Sequence, residues 1–375
     1  MRHVLFVLAV LLAACGGGGG GGDFSDPPRD VNPGLPPVVS TAPPDRSDGW
    51  MTSTPEAEDL DEAKLRQALE TIRGGKYPRV DAVIVARHGR LVAEGYFNGF
   101  GPDALHDLRS AGKSFISALA GIAVGQGLFA VDDPIAQLVP QFDQHANMSD
   151  RKRAITVRHL LNMSSGLDCS DWTTSSPGWE ERMYTQKDWV GFILDLPMVF
   201  GPGTIPSYCT GGVVVLGHII AVRSGRNLDD YADTWLLGPL GINQVIWRRQ
   251  PDGQATGGTG MRLRPRDAAK LGQLYLDGGL WNGVRVVPEA WVIESQLRAT
   301  TLGGDGYGFL WWKRSFLDSH GRTVDAFFAS GNGGNFVFVL PALELVVSFT
   351  GSNYNSDLSD QPFDILANGI LPAVK

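Results

Sequence analysis

Residues 80–96 and the stretch after 300 carry the chain's strand patterns, and everything between them reads as helix and loop. VDAVIVAR and LVAEGYF flank the short turn His88-Gly89-Arg90, which predicts a β-hairpin. Four more β-rich runs follow 300: YGFLWW, TVDAFFAS, NFVFVL and LELVVSFT. Their connections are short, so antiparallel neighbours are expected. Strands at both ends must meet in one sheet, and the helical middle then hangs from it. The expected fold is therefore α+β, an antiparallel sheet flanked by helices with an inserted, mostly helical domain. The sheet domain is assigned to 56–127 and 285–375, and the helical domain to 128–284.

Several helices have recognisable ends. Residues 56–73 follow Thr54-Pro55, with an acidic first turn, Leu60, Leu65, Leu69 and Ile72 at helical spacing, and Gly74-Gly75 beyond. VRHLLNMSSGL reads as a helix stopping at Gly166, GGVVVLGHIIAVRSG as a buried helix stopping at Gly225, and RDAAKLGQLYLDGG as one closed by two glycines. A last helix is expected near 361–370.

One helix also carries chemistry. In LRSAGKSFISALAGIAVGQG, residues 108–127, the tetrad Ser110-Ala111-Gly112-Lys113 opens an apolar run: Phe115, Ile116, Leu119, Ile122 and Ala123. Residues three apart share a helix face, so Lys113 can lie beside Ser110. A serine hydroxyl needs a base to become a useful nucleophile, and a lysine serves once burial lowers its pKa. At a helix start, backbone N–H groups and the positive dipole end also face any oxyanion formed there. A second copy of the tetrad, Ser149-Asp150-Arg151-Lys152, sits in the charged run NMSDRKR with no apolar stretch directly after it, and reads as solvated loop. Gly112-Lys113-Ser114 is not the end of a phosphate-binding loop, because that motif needs glycine where Asp107 stands. No G-x-S-x-G elbow occurs.

The first 15 residues, MRHVLFVLAVLLAAC, place Arg2 before an apolar run ending in small residues, the pattern of an export signal. Leu12-Ala13-Ala14-Cys15 resembles the lipobox of bacterial lipoproteins. That resemblance implies a signal peptide over 1–14, lipidation at Cys15 and a membrane anchored through the N-terminal lipid. Gly16 directly after the cysteine, with no aspartate, implies an outer-membrane location facing the periplasm. Seven glycines and a Pro/Asp/Ser-rich stretch then make 15–55 a flexible tether. About 320 residues remain, enough for one large domain or two intimate ones. The formal charge of −8 argues against a nucleic-acid partner. The seven histidines show no metal-ligand spacing, so no metal or cofactor is expected.

The motifs taken together resemble the serine β-lactamase/penicillin-binding superfamily, and within it the class C β-lactamase-like esterases and 6-aminohexanoate-dimer hydrolases. They are Ser110-x-x-Lys113, HLLNMSSGL some fifty residues on, Tyr208-Cys209-Thr210, and SGNGGN at 330–335, in the superfamily's order over about residues 60–372. The resemblance implies acylation of Ser110, with Lys113 as proton acceptor and Tyr208, partly ionised by nearby cations, as the relay to the leaving group. It places Asn332-Gly333-Gly334 in the strand motif that usually reads Lys-Thr-Gly or His-x-Gly. The backbone N–H of Asn335 then becomes the second oxyanion donor beside that of Ser110. Thr210 stands where β-lactamases carry asparagine, and Asn332 where they carry a cation. Both departures weaken β-lactam recognition and leave acylation untouched. The expected activity is hydrolysis of a small ester or amide. The alternatives are a β-lactamase or D-Ala-D-Ala carboxypeptidase, and a lipid-anchored binding protein without turnover.

Export would place Cys169 and Cys209 in an oxidising compartment, and the superfamily fold implies that their segments pass close enough to bridge. Trp172 and Trp179 fall in the polar segment after the SGL turn, either lining a cleft or anchoring a loop. His106 is expected to be a structural hydrogen-bonder, and His159 and His218 satisfied core histidines.

Overall fold

A computed structural model describes residues 31–318 and 320–375. The signal segment and Cys15 lie outside the described residues. The strands are β1 (Val38–Ser40), β2 (Met51–Thr52), β3 (Val80–Arg87), β4 (Arg90–Tyr96), β5 (His106–Asp107), β6 (Arg262–Leu263), β7 (Leu280–Trp281), β8 (Val284–Arg285), β9 (Thr300–Leu302), β10 (Asp305–Gly308), β11 (Trp311–Leu317), β12 (Thr323–Gly331), β13 (Asn335–Leu340) and β14 (Leu345–Gly351). The main sheet runs β1-β4-β3-β14-β13-β12-β11-β10-β9, with β2 added parallel to β4. Strands from both ends of the chain meet where β3 pairs antiparallel with β14.

The β-runs look continuously apolar because both faces of the sheet are covered. Val83, Val85, Phe336, Phe338, Val347 and Phe349 point to one core, shared with Leu65, Leu69, Ile365 and Ile370. Ala82, Ile84, Val337, Val339 and Val346 point to the other, shared with Phe115, Leu119, Leu271 and Leu274. The first face is closed by α1 (Glu62–Arg73) and the C-terminal helical segment that starts with α11 (Gln361–Ile365). The second face meets α9 (Pro265–Leu276), while α2 (Lys113–Gly125) leads into the helical part. That part holds α3 (Asp150–Arg153), α4 (Val157–Leu161), α5 (Glu180–Tyr184), α6 (Trp189–Asp195), α7 (Thr210–Ser224) and α8 (Leu228–Ala232), with α10 (Glu289–Gln296) following α9 in the chain. The helix α7 packs on α2, α4 and α6 and ends at Gly225 with φ 65°.

Several expectations change at the level of local chemistry. The segment assigned as tether belongs to the fold from Val38 onward. There β1 pairs with β4, and Trp50 is buried with its Nε1 donating to the Arg266 carbonyl at 3.1 Å. Arg266 also bonds Glu94 (2.7 Å), Asp48 (3.1 Å) and the Pro44 carbonyl (3.0 Å). The helical domain ends earlier than 284, because α9 lies on β3, β13 and β14 and so belongs to the sheet. Asp59, at φ 55°, breaks the 56–73 helix, which restarts after Asp61 caps Lys64 N at 3.1 Å. The HLLN helix stops at Leu161, well short of Gly166. Leu161 and Asn162 turn to hold the β10–β11 corner instead, through Leu310 N to Leu161 O (3.0 Å) and Phe309 N to Asn162 Oδ1 (3.0 Å). Phe309 and Leu310 have φ of 50° and 64°, so YGFLWW is two strands joined by a corner.

The second Ser-x-x-Lys is a short capped helix rather than a loop; Asp150 and Arg151 are exposed as expected, and only its lysine is withdrawn from solvent. Ser149 caps α3 by accepting from Lys152 N at 3.2 Å. Lys152 is fully buried and gives its ammonium to the carbonyls of Ala146 and Leu194, each at 2.7 Å.

Candidate active site

The chain enters the site through a strained turn. Leu108 N bonds the Met261 carbonyl at 2.9 Å, and Arg109 takes φ 49° with its N–H on Asp107 Oδ1 at 2.8 Å. Its guanidinium lies 4.5 Å above the Tyr354 ring. A 3-10 turn over Arg109–Gly112 then presents Ser110 before α2 begins at Lys113. Ser110 is half-exposed and Lys113 is buried, so a reagent can reach the hydroxyl while the amine is shut from water. Lys113 Nζ donates to Ser110 Oγ at 2.8 Å. Burial lowers the Lys113 pKa, with Glu180 and Asp171 pulling it back up.

Tyr208 lies directly before the Cys209 cap of α7, its ring 5.2 Å from Lys113 Nζ. Burial, helped by Asp171 and Glu180, pushes the phenol well above its ordinary range, although its hydrogen bond with Ser110 pulls the other way. The direction runs against the partial ionisation expected from neighbouring cations. Trp172 stacks on Tyr208 at 5.4 Å with the planes 1° apart and faces Trp312 at 6.4 Å, while remaining 55% exposed. It covers the Tyr208 ring with its own exposed indole. Trp179 is half-buried directly before α5.

Residues 207–210 are fastened to 169–171. Cys169 and Cys209 form a disulfide with Cα atoms 5.5 Å apart. Ser207 Oγ donates to the Cys169 carbonyl at 2.6 Å, Asp171 N to the Tyr208 carbonyl at 2.8 Å, and Thr210 N to Asp171 Oδ2 at 2.7 Å. Asp171 carried no signal in the sequence beyond being one acid in a polar loop. Its half-buried carboxyl is raised by desolvation and by Glu180, and lowered by Lys113 and Thr210.

The third motif shifts register. Any side chain at Gly331 would place Cβ 2.1 Å from Leu108 O and 2.9 Å from Ala111 N, so the end of β12 can lie against the Ser110 turn only as glycine. Gly333 and Gly334, at φ 98° and 89°, make the hairpin beyond it and face Tyr354 and the Ser359 carbonyl. Asn335 is fully buried between β12 and β14. Its side chain donates to the carbonyls of Asn332 (2.8 Å) and Gly351 (3.3 Å) and accepts from Gly351 N (3.2 Å). The side chain of Asn335 is thus a clip inside the sheet, and its backbone, expected to supply the second oxyanion donor, is paired with Gly331 at the start of β13. The first amide after Gly331 is that of Asn332, which takes no acceptor among the described residues, as is also true of Ser110 N. The Asn332 side chain is exposed and paired with Asn355, at 2.7 Å and 2.9 Å. Thr210 is 1% exposed and packed into the start of α7.

His106 stacks 4.2 Å from Phe100, and burial with Arg262 nearby pushes its pKa down to about 3. His159 caps α4, taking Thr156 N at 3.0 Å, and is half-buried like His218, so neither is a core residue. Among the described residues no group of three or more His, Cys, Asp or Glu side chains could hold a metal ion, and no helix is long and apolar enough to cross a membrane.

The Beta-lactamase family matches residues 66–367. The chain is 28% identical over 226 residues to the 6-aminohexanoate-dimer hydrolase of Paenarthrobacter ureafaciens, covering 56% of each. It is 26% identical over 196 residues to penicillin-binding protein 4* of Bacillus subtilis, covering 48% of this chain and 40% of that protein. The chain thus spans about half the length, or less, of these curated relatives. In fold it is similar to a putative 6-aminohexanoate-dimer hydrolase from Bacillus anthracis, with TM-score 0.67, 17% identity and coverage of 88% of this chain and 89% of that one. It is likewise similar to a family VIII carboxylesterase, with TM-score 0.63, 17% identity and coverage of 82% and 96%.

Proposed function

The chain belongs to the β-lactamase family of hydrolases, and we propose that it cleaves an ester or amide through an acyl-enzyme on Ser110. The observation that carries this reading is the 2.8 Å contact between a half-exposed serine hydroxyl and a buried lysine amine whose pKa is lowered. Neutral Lys113 takes the Ser110 proton as Oγ bonds the acyl carbon. The oxyanion is met by the amides of Ser110 and Asn332. The proton passes through the Tyr208 phenol to the leaving group as the acyl bond to it breaks. Water then attacks the acyl carbon, its proton passes along the same path to Ser110 Oγ as the acyl–Oγ bond breaks, and the acid leaves.

In the shifted register Ala329, which cannot supply a cation, holds the first position of the third motif, and this and the burial of Thr210 support a substrate other than a β-lactam and weigh against a β-lactamase or D-Ala-D-Ala carboxypeptidase. The reachable Ser110 hydroxyl backed by buried Lys113 and Tyr208 weighs against a binding protein without turnover. Export and a lipid anchor at Cys15, with an outer-membrane location facing the periplasm, are part of the same proposal and rest on the sequence alone. A panel of p-nitrophenyl butyrate, 6-aminohexanoate dimer and nitrocefin tests the substrate reading. Cleavage of the ester or the linear amide with little turnover of nitrocefin is expected, and nitrocefin hydrolysis as efficient as the best of the others overturns it.

A further inference from the structure

We propose that Asp171 is a positioning residue of the site: it grips the chain on both sides of Cys209 and shares with Glu180 the negative charge that acts on Lys113. The inference rests on the reading of Ser110, Lys113 and Tyr208 as the reacting groups.

The grip is geometric. Asp171 N holds the Tyr208 carbonyl and Asp171 Oδ2 holds Thr210 N, while the disulfide holds Cys209 between them and Ser207 bonds Cys169. Four consecutive residues, 207–210, are thereby fixed against 169–171, and the Tyr208 ring is carried by the second of them. This clip needs one acceptor oxygen at 171, which an asparagine would supply equally well. A carboxylate brings a second oxygen. That atom, Oδ1, is shielded from solvent and takes no hydrogen bond among the described residues. An ionised group with a shielded, unsatisfied oxygen is costly unless an opposite charge faces it.

The groups that act on its charge come from three elements. Lys113 at the start of α2 attracts it, Glu180 on α5 repels it, and Thr210 at the start of α7 donates to it. Lys113 in turn bonds Ser110 and lies near the Tyr208 ring, and the negative charges of Glu180 and, less strongly, Asp171 act on it. Glu180 is itself held by the Tyr184 hydroxyl at 2.6 Å. The attraction has a use in the reaction. When Lys113 takes the Ser110 proton it becomes a buried cation, and a fixed carboxylate stabilises that cation more than it stabilises the resting amine.

The sign of the pH effect follows. A negative neighbour favours the ammonium form, so it raises the pH at which Lys113 becomes a base. Removing the charge moves the acid limb of kcat/KM to lower pH, by about 1 unit or more, and lowers the plateau kcat by about 10-fold or more.

The experiment measures kcat/KM and kcat for p-nitrophenyl butyrate across pH for wild type, Ser110→Ala, Asp171→Asn, Asp171→Ser and Asp171→Glu, with thermal melting of each. Asp171→Asn and Asp171→Ser both keep an acceptor for Thr210, so either one suffices if the other fails to fold. The expected result is an acid limb displaced to lower pH in the neutral variants and restored in Asp171→Glu. An acid limb that coincides with wild type in the neutral variants overturns the counter-charge. So does a loss of activity that is equal at every pH and accompanied by a lower melting temperature. Activity surviving in Ser110→Ala would instead overturn the underlying reading of the site, whatever Asp171 does.

Discussion

The chain contains the same tetrad twice, and the two copies do opposite things with their lysines. At 110–113 the lysine amine turns back onto its own serine hydroxyl at 2.8 Å. At 149–152 the serine hydroxyl caps a backbone amide, and the lysine amine reaches two carbonyls from other segments, Ala146 and Leu194. Both lysines are buried and both have lowered pKa values from desolvation. Burial alone therefore does not make a base. What differs is whether the amine is already satisfied by carbonyls, which hold the ammonium, or is left facing a hydroxyl that can give it a proton. The backbone sets this choice: Ser149 is extended before its helix, with φ −158°, whereas Ser110 sits inside a 3-10 turn entered through Arg109 at φ 49°.

Breaking the comparison starts with the serines. Ser110→Ala is expected to lower kcat/KM by about 10^3-fold or more, while Ser149→Ala leaves turnover within about a factor of two, since it loses a cap and nothing else. Equal losses in steady-state assays would show the two copies to be interchangeable. The lysines come next. Lys113→Arg keeps the charge but gives up the base, so it should be as inactive as Lys113→Ala, about 10^2-fold or more below wild type. Lys152→Ala should instead lower stability by about 2–3 kcal/mol, through two carbonyls left without a donor, and leave kcat alone. Urea unfolding read beside kcat separates the two effects, and an active Lys113→Arg would reduce that lysine to an electrostatic role.

The disulfide sharpens the contrast, because only the first tetrad has Tyr208 beside it. Reducing Cys169–Cys209, 40 residues apart in sequence, should remove up to about 4 kcal/mol in the chain-entropy model. It should also lower activity at temperatures where the fold persists. Activity unchanged after verified reduction would show that the remaining hydrogen bonds hold Tyr208 alone. The smallest expected effect is the melting shift of Ser149→Ala, about 1 kcal/mol for a lost N-cap.

The sheet and the long helices were legible because their patterns are long and closed by glycines, as with α7 at Gly225 and the β3–β4 hairpin. The Ser110–Lys113 pair was legible because three-residue spacing on a helix fixes proximity. Other features depend on contacts that leave no mark in composition. Val38–Ser40 joins the sheet through backbone hydrogen bonds, which a Pro- and Asp-rich neighbourhood does not advertise. The burial of Lys152 is hidden inside NMSDRKR because its two acceptors lie in other segments. An amphipathic helix such as α9 shows that it packs, but not on which layer. The glycine string of SGNGGN carries no register, so only the approach of Gly331 to Leu108 separates Asn332 from Asn335. Asp171 becomes visible only when folding brings it to Thr210 and Lys113.

Covalent labelling reads the difference between the two tetrads directly. Protein treated with a fluorophosphonate, digested and mapped by mass spectrometry should carry the adduct on Ser110 and none on Ser149, with activity lost in proportion to labelling. An adduct on Ser149 or on another serine with Ser110 unmodified, or full labelling of the Ser110→Ala protein, would contradict the account.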